Sequence, residues 1–353
     1  MKYSGINRFG ETDNRPSVPS RGKMRFAALV SLLLIASFAL VLLSGCAGRK
    51  ENDRFSVVCT NFPSYDFARE LTRGTDAEVI LLLSPGAETH SYEPTPQDII
   101  KIQECDVFVC NGGESESWLD GVLSAVSADS DMTVVKMISC VTALEEEPLP
   151  GIEDGDEHGN GHEDGDEHKD ADSGHGNVEY DEHVWTSPKN AELISAAIEK
   201  ALAEKDPENA GQYASNLGAY IEKLEKLDSD FRAAVDGGVR KTLVFGDRYP
   251  FLYFAKEYGL TCYAAFPGCS AETEPLPSTV AFLIDEVKRD NIPVVLHLEM
   301  SNTGVADTIC ESTGAETMLF HSCHNVSKDE FSAEVTYLSL MENNLEVLKK
   351  ALS

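Results

Sequence analysis

Twice along this chain, four short β-rich apolar runs alternate with helical patterns, and one long amphipathic stretch separates the two sets. The first set occupies residues 55–60, 77–83, 106–110 and 133–137, with helical patterns at 64–74, 95–104 and 115–126. The second occupies 242–245, 260–265, 293–298 and 316–320, with helical patterns at 250–258, 277–290, 303–312 and 331–352. Such alternation implies βαβ units and parallel sheets. Between the sets, Tyr213, Leu217, Tyr220, Ile221, Leu224, Leu227 and Phe231 recur at three- and four-residue spacing. The expected class is therefore α/β. A lobe over 55–205 and a second over 238–353 are joined by a rigid helix over 206–237.

The first lobe is interrupted by a tract over 145–182, rich in Asp, Glu and Gly, that carries His158, His162, His168 and His175. The hexapeptide Glu-Asp-Gly-Asp-Glu-His occurs twice, ending at His158 and His168. The tract has almost nothing apolar to bury, so it does not offset the entropy of ordering its backbone and is expected to stay mobile. Imidazoles among carboxylates make a loose ligand set for divalent transition metals, a role that a plain acidic spacer does not require. The expected role is to gather metal weakly and pass it on, or to limit uptake. The formal charge of −31 excludes nucleic acid as a partner, which needs a positive face.

Near the N-terminus Arg21, Lys23 and Arg25 precede an apolar run over 26–43, followed by Leu43-Ser44-Gly45-Cys46. A basic head, an apolar stretch and small residues at its end describe a secretory signal over 1–45, with Met24 as the probable true start. The ending resembles a bacterial lipobox, in which the cysteine (here Cys46) is acylated and becomes the first mature residue. Residues 46–54 then form a tether, and acyl chains hold the protein on the outer face of a membrane. Of nine cysteines, eight follow Cys46: Cys59, Cys105, Cys110, Cys140, Cys262, Cys269, Cys310 and Cys323. An even number outside the cytoplasm permits disulfides, although Cys59 and Cys110 lie in apolar runs that suit buried thiols.

Ligands of open parallel sheets bind beyond the carboxyl ends of the strands. Outside the tract the histidines are His90, His183, His297, His321 and His324. His90 lies in the loop after the second run, and His321 follows directly on the run ending at Phe320. Asp247 falls just beyond the run ending near Phe245, and His183 stands before Pro188, which opens a helix. With two from each lobe, His90, His183, His321 and Asp247 are the expected ligands of a metal held between the lobes. His324 is an alternative or helper to His321. His297 lies within an apolar run and reads as a core residue or a support behind the site, while Glu299 is placed to orient a ligand.

These segments resemble the zinc/manganese ABC-transporter solute-binding lipoproteins. Pro85-Gly86-Ala87-Glu88-Thr89-His90-Ser91-Tyr92-Glu93-Pro94 is similar to that family's first ligand motif. Asp181-Glu182-His183-Val184-Trp185-Thr186-Ser187-Pro188 is similar to the second, and there too an acidic His-rich loop precedes it. Tyr253-Phe254-Ala255-Lys256-Glu257-Tyr258-Gly259-Leu260 is similar to the stretch after the third. The resemblance covers the mature chain and implies two Rossmann-like lobes joined by a long helix, a metal in the cleft, and delivery to an ABC permease by a monomer. One departure stands out: alignment places Arg248 where the family has His or Glu, and a guanidinium, always protonated, does not ligate. Asp247 is taken as the substitute, and His321 replaces the family's acid as fourth ligand. Glu272 and Cys269 are further candidates, and Cys269 is a possible disulfide partner of Cys323.

Three imidazoles and one carboxylate suit zinc better than manganese, which prefers oxygen donors. Imidazoles must be deprotonated to ligate, so capture is expected to weaken below roughly pH 6.5. A secreted zinc hydrolase would need an open coordination position and a general base, and no His-Glu-x-x-His occurs, so no enzymatic activity is expected. On an adhesin role the sequence is silent.

Overall fold

The computed structural model describes residues 54–88, 92–126, 130–152, 179–268 and 274–353. Cys46, His90, Cys269, Glu272 and the four tract histidines lie outside the described residues.

All eight expected strands are present: β1 (Ser56–Cys59), β2 (Glu78–Leu81), β3 (Val107–Cys110), β4 (Thr133–Lys136), β5 (Thr242–Tyr249), β6 (Thr261–Pro267), β7 (Val294–His297) and β8 (Glu316–Leu319). They form two four-stranded sheets of order β2-β1-β3-β4 and β6-β5-β7-β8, and every pairing is parallel. The second sheet thus repeats the topology of the first, as two Rossmann-like lobes should.

The helices are α1 (Phe62–Leu71), α2 (Pro96–Glu104), α3 (Leu119–Ala125), α4 (Pro188–Lys205), α5 (Ala210–Gly237), α6 (Leu252–Tyr258), α7 (Pro277–Arg289), α8 (Gly304–Thr313), α9 (Lys328–Ser332) and α10 (Tyr337–Ala351). Their starts follow from local chemistry. Asn61 and Ser64 cap α1 reciprocally, as Thr95 and Asp98 cap α2, and each helix has proline in its first turn. Ser187 accepts from the Asn190 amide at the start of α4, where Pro188 has no amide to leave unpaired.

Two expectations are corrected here. The helical pattern at 331–352 is broken: Glu334 takes a left-handed φ of 54°, and a Thr336/Ser339 capping box restarts the chain as α10. Asp247 does not follow β5 but lies within it, because the strand continues to Tyr249 across a register shift between Phe245 and Arg248.

Each sheet is covered on both faces, and alternate residues serve different layers. Val57, Val107 and Val109 of the first sheet, and Leu243, Phe245 and Leu296 of the second, join one continuous core with Ile194 and Ile198 of α4 and Tyr220, Leu224 and Phe231 of α5. Their neighbours Val58 and Phe108, and Val244 and Val295, face two smaller outer clusters instead. Because the inner faces of both lobes share one core around α4 and the 28-residue α5, bending one lobe against the other would open packed apolar surface. Phe320, fully buried, stacks its edges on Phe251 and Phe254 at ring separations of 4.9 and 5.7 Å within that shared core.

The seven described cysteines are free thiols, six of them following the pattern of buried or half-buried core residues and the seventh, Cys323, buried in the turn after β8. Burial holds them protonated, with Cys105 and Cys262 pushed up to about 12. The disulfide framework allowed by the even count is therefore not formed among them.

Candidate metal centre

In the second sheet the chain leaves β5 towards β6 and leaves β7 towards β8, so the carboxyl ends of these adjacent strands diverge and open a crevice. Gly246, Asp247 and Arg248 on one side and Leu298 to Asn302 on the other line a cleft of about 630 Å³ there. Its remaining walls are Gly86, Ala87 and Glu88 from the loop after β2, His183 from the loop before α4, and Ser322, His324 and Asn325 from the turn after β8. Gly246 has no room for a side chain: a Cβ would stand 2.5 Å from the Cα of Ala306, so the start of α8 can press directly against β5.

His183 is placed by the chain's return from the acidic tract. Tyr180 bridges to Glu145, and the Asp181 amide donates to the Leu144 carbonyl at 2.9 Å. Tyr253 Oη then donates to the Asp181 carbonyl (2.7 Å), and Asn111 Nδ2 to the Glu182 carbonyl (3.0 Å). With its backbone held, the Asp181 carboxylate accepts the His183 amide at 2.8 Å and stands 3.3 Å from His183 Nδ1. The pair is almost fully buried, with 5% and 1% of the two side chains accessible. Burial pushes the imidazole pKa down, but Asp181, with Glu182 and Glu146 behind it, more than offsets this, so it lies above the ordinary histidine value. A carboxylate on Nδ1 fixes that proton there and directs the Nε2 lone pair to a metal.

His324 is presented by a tight turn. Cys323 takes a left-handed φ of 61°, its amide donating to His321 Nδ1 at 2.9 Å, and the His324 amide donates to Ser322 Oγ at 3.2 Å. Trp185 Nε1 donates to the Ser322 carbonyl (2.8 Å) and the Phe62 amide to the His324 carbonyl (3.3 Å), so the first lobe grips the turn from two sides. The His324 ring stands 4.8 Å from the Trp185 ring and 5.6 Å from that of His183, at 89° to the latter. Two imidazoles on one tetrahedral zinc, with Zn–N roughly 2.0–2.1 Å, have ring centres about 5 Å apart. The observed pair is close to that spacing.

The other expected ligands are placed differently. Asp247 is on the cleft wall, but its carboxylate accepts from the Arg248 amide (2.8 Å), the Leu298 amide (2.9 Å) and Ser301 Oγ (3.1 Å), tying β5 to the loop after β7. Arg248 also lines the cleft. Glu299 faces the cleft and accepts the Ser322 amide at 2.8 Å, so it supports the turn that carries His324. His321 is not on the cleft wall. It is buried behind the turn, with Nδ1 accepting from Cys323 and standing 3.6 Å from Glu299, and Nε2 3.7 Å from Glu330. The last distance is too long for a hydrogen bond. Burial lowers the His321 pKa, and the two carboxylates raise it further than that. His297 points its Nδ1 at the Leu298 carbonyl, 2.9 Å away. Among the described residues no three His, Cys, Asp or Glu side chains meet as a metal cluster, so His183 and His324 are the part of a ligand set that these residues supply. The role of Asp181 was not read from the sequence, although an acid two residues before a ligand histidine is the available signal.

Comparison with known proteins places this geometry in a family. The family model described as zinc-uptake complex component A, periplasmic (ZnuA), matches residues 57–351. The zinc-binding lipoprotein AdcA of Streptococcus pneumoniae (strain ATCC BAA-255 / R6) is 31% identical over 320 residues, which are 90% of this chain and 60% of that protein; the chain thus spans about three-fifths of that relative's length. The high-affinity zinc uptake system protein ZnuA of Bacillus subtilis (strain 168) is 32% identical over 327 residues, covering 93% of this chain and 96% of that one. The crystal structure of the Zn(II)-bound ZnuA-like domain of S. pneumoniae AdcA matches with a TM-score of 0.67 at 27% identity, over 85% of this chain and 99% of that domain. The resemblance read from the sequence is borne out, and the chain belongs to the ZnuA family of periplasmic zinc-uptake components.

Proposed function

We propose that this protein captures zinc in the cleft between its lobes and hands it to an ABC permease for uptake, working as a monomer held by an acylated Cys46 on the outer face of a bacterial membrane. The observation that carries the reading is the pair of cleft imidazoles, His183 and His324, 5.6 Å apart at 89° with Asp181 on the Nδ1 of the first. Names of relatives agree: zinc binding for AdcA and high-affinity zinc uptake for the Bacillus protein. Imidazole donors favour zinc over manganese. We take His90, His183 and His324 as ligands. In this reading Glu299 and Asp247 shape the wall, and His321 supports the turn from behind. The family is one of metal-binding transport components, and this reading gives the chain a binding role.

Chelator-competition titration tests this. The full chain should hold one tight zinc ion, His183→Ala and His324→Ala should each weaken it by at least about tenfold, and His321→Ala should weaken it less. Wild-type affinity in both His183→Ala and His324→Ala would refute the site.

A further inference from the structure

The loop after β2 and the turn after β8 come from different lobes, yet one side chain binds them together. Asn325 is fully buried. Its Nδ2 donates to the Ser84 carbonyl and to the Ala87 carbonyl, both at 3.0 Å, bonds that reach across 241 and 238 residues of sequence. Its Oδ1 accepts the Val326 amide at 2.8 Å. The next residue adds a backbone bond that runs the other way, from the Gly86 amide to the Val326 carbonyl at 2.8 Å. The anchored segment is itself a tight turn, closed by the Ala87 amide on the Ser84 carbonyl (3.0 Å) and requiring a φ of 80° at Gly86.

We propose that Asn325 is a positioning residue for metal capture: its amide clamps the 84–88 wall of the cleft to the turn that carries His324, and so sets the distance between ligands supplied by the two lobes.

The choice of asparagine follows from its chemistry. A primary amide offers two donors about 120° apart and one acceptor, which matches two carbonyls of one turn and one backbone amide. Aspartate would turn both donors into acceptors facing carbonyl oxygens, and leucine would remove both donors from the Ser84 and Ala87 carbonyls. Gly86, Ala87 and Glu88 line the cleft, as does His324 next to Asn325, so a shift at the clamp is felt on both walls. The inference rests on the proposed zinc site, with His183 and His324 as ligands from the two lobes.

A double-mutant cycle on the full chain tests it, with zinc affinity read by chelator competition and coordination geometry by the visible spectrum of the cobalt-loaded protein. Asn325→Ala should lose about 10–100-fold in zinc affinity, the range for residues that hold ligands in place, and should change the cobalt spectrum. In a His324→Ala background the same substitution should cost far less, because the ligand that the clamp positions is already gone. A mere fold-stabilising role would predict an undisturbed cobalt spectrum and a loss that adds in full to that of His324→Ala; either result overturns the proposal. Should Asn325→Ala not fold, hydrogen exchange of the wild-type protein decides: zinc should slow exchange of the Gly86 amide, and an unchanged rate refutes the clamp. Failure of the site itself looks different, with neither His183→Ala nor His324→Ala altering zinc affinity.

Discussion

Replacing Asp181 with asparagine separates two effects of one carboxylate on His183. The oxygen that accepts the His183 amide is also 3.3 Å from Nδ1, and both side chains are nearly inaccessible, so solvent screens the pair poorly. Loss of a carboxylate partner of a metal-bound histidine costs about 10–100-fold in affinity, or roughly 1.4–2.8 kcal/mol. The proton acts in the opposite sense. In the wild type Asp181 is the largest influence raising the His183 pKa against burial, so protons compete with zinc as pH falls through a value above 6.5. In Asp181→Asn burial is opposed only by Glu182 and Glu146, the pKa falls, and proton competition begins at lower pH. Zinc affinity measured by chelator competition from about pH 8 to pH 5.5 should therefore show the variant weaker at high pH, with the gap narrowing as the solution is acidified. In the metal-free wild type the same pair contributes stability that is fully present below about 6.5 and lost as pH rises through the raised pKa. A wild-type-to-variant ratio that does not change with pH, or equal affinities throughout, would refute the assignment of Asp181 as the partner of a ligating His183.

Other perturbations have definite expected outcomes. Gly246→Ala forces a Cβ to 2.5 Å from the Ala306 backbone and should destabilise by about 1–3 kcal/mol in urea unfolding; no loss would mean that α8 moves away freely. Phe320→Ala removes the ring that packs on Phe245, Phe251 and Phe254 and should cost about 3–5 kcal/mol by the same assay. His321 foremost, against the effect of burial and with help from Ser327, depresses the Glu330 carboxyl to about 2. Stability due to it is present above the unfolded value of roughly 4.3 and lost as pH falls towards 2, so Glu330→Gln should flatten that acid limb. Deleting 153–176 should remove several weak zinc sites and leave the tight one in calorimetry; loss of the tight site would end the division of labour between tract and cleft.

The strands were legible because each is a short apolar run ended by charge or turn residues, and a parallel sheet buried on both faces demands such runs. The end of β5 was not: Gly246-Asp247-Arg248 reads as a turn, and only pairing with β6 across a bulge keeps those residues in the sheet. The break before α10 had a local signal, Thr336 three residues ahead of Ser339, hidden inside an otherwise helical apolar pattern. At the site, His183 stood out through its flanking motif. The choice between His321 and His324 depends on a left-handed Cys323 and on Trp185 gripping Ser322 from the other lobe, which are tertiary facts with no local signature. The same holds for Asp247, whose three donors come partly from Leu298 and Ser301, 51 and 54 residues away. The even cysteine count suggested bridges, but the seven described thiols are free, most of them held as separate core residues.

The central claim is that His183 and His324 share one zinc ion. Crystals of the zinc-loaded protein, measured on both sides of the zinc absorption edge, address it directly. The account predicts one anomalous peak in the cleft roughly 2.0–2.1 Å from a ring nitrogen of each. A peak bound instead by His321 or Asp247, with His183 and His324 unliganded, would contradict it.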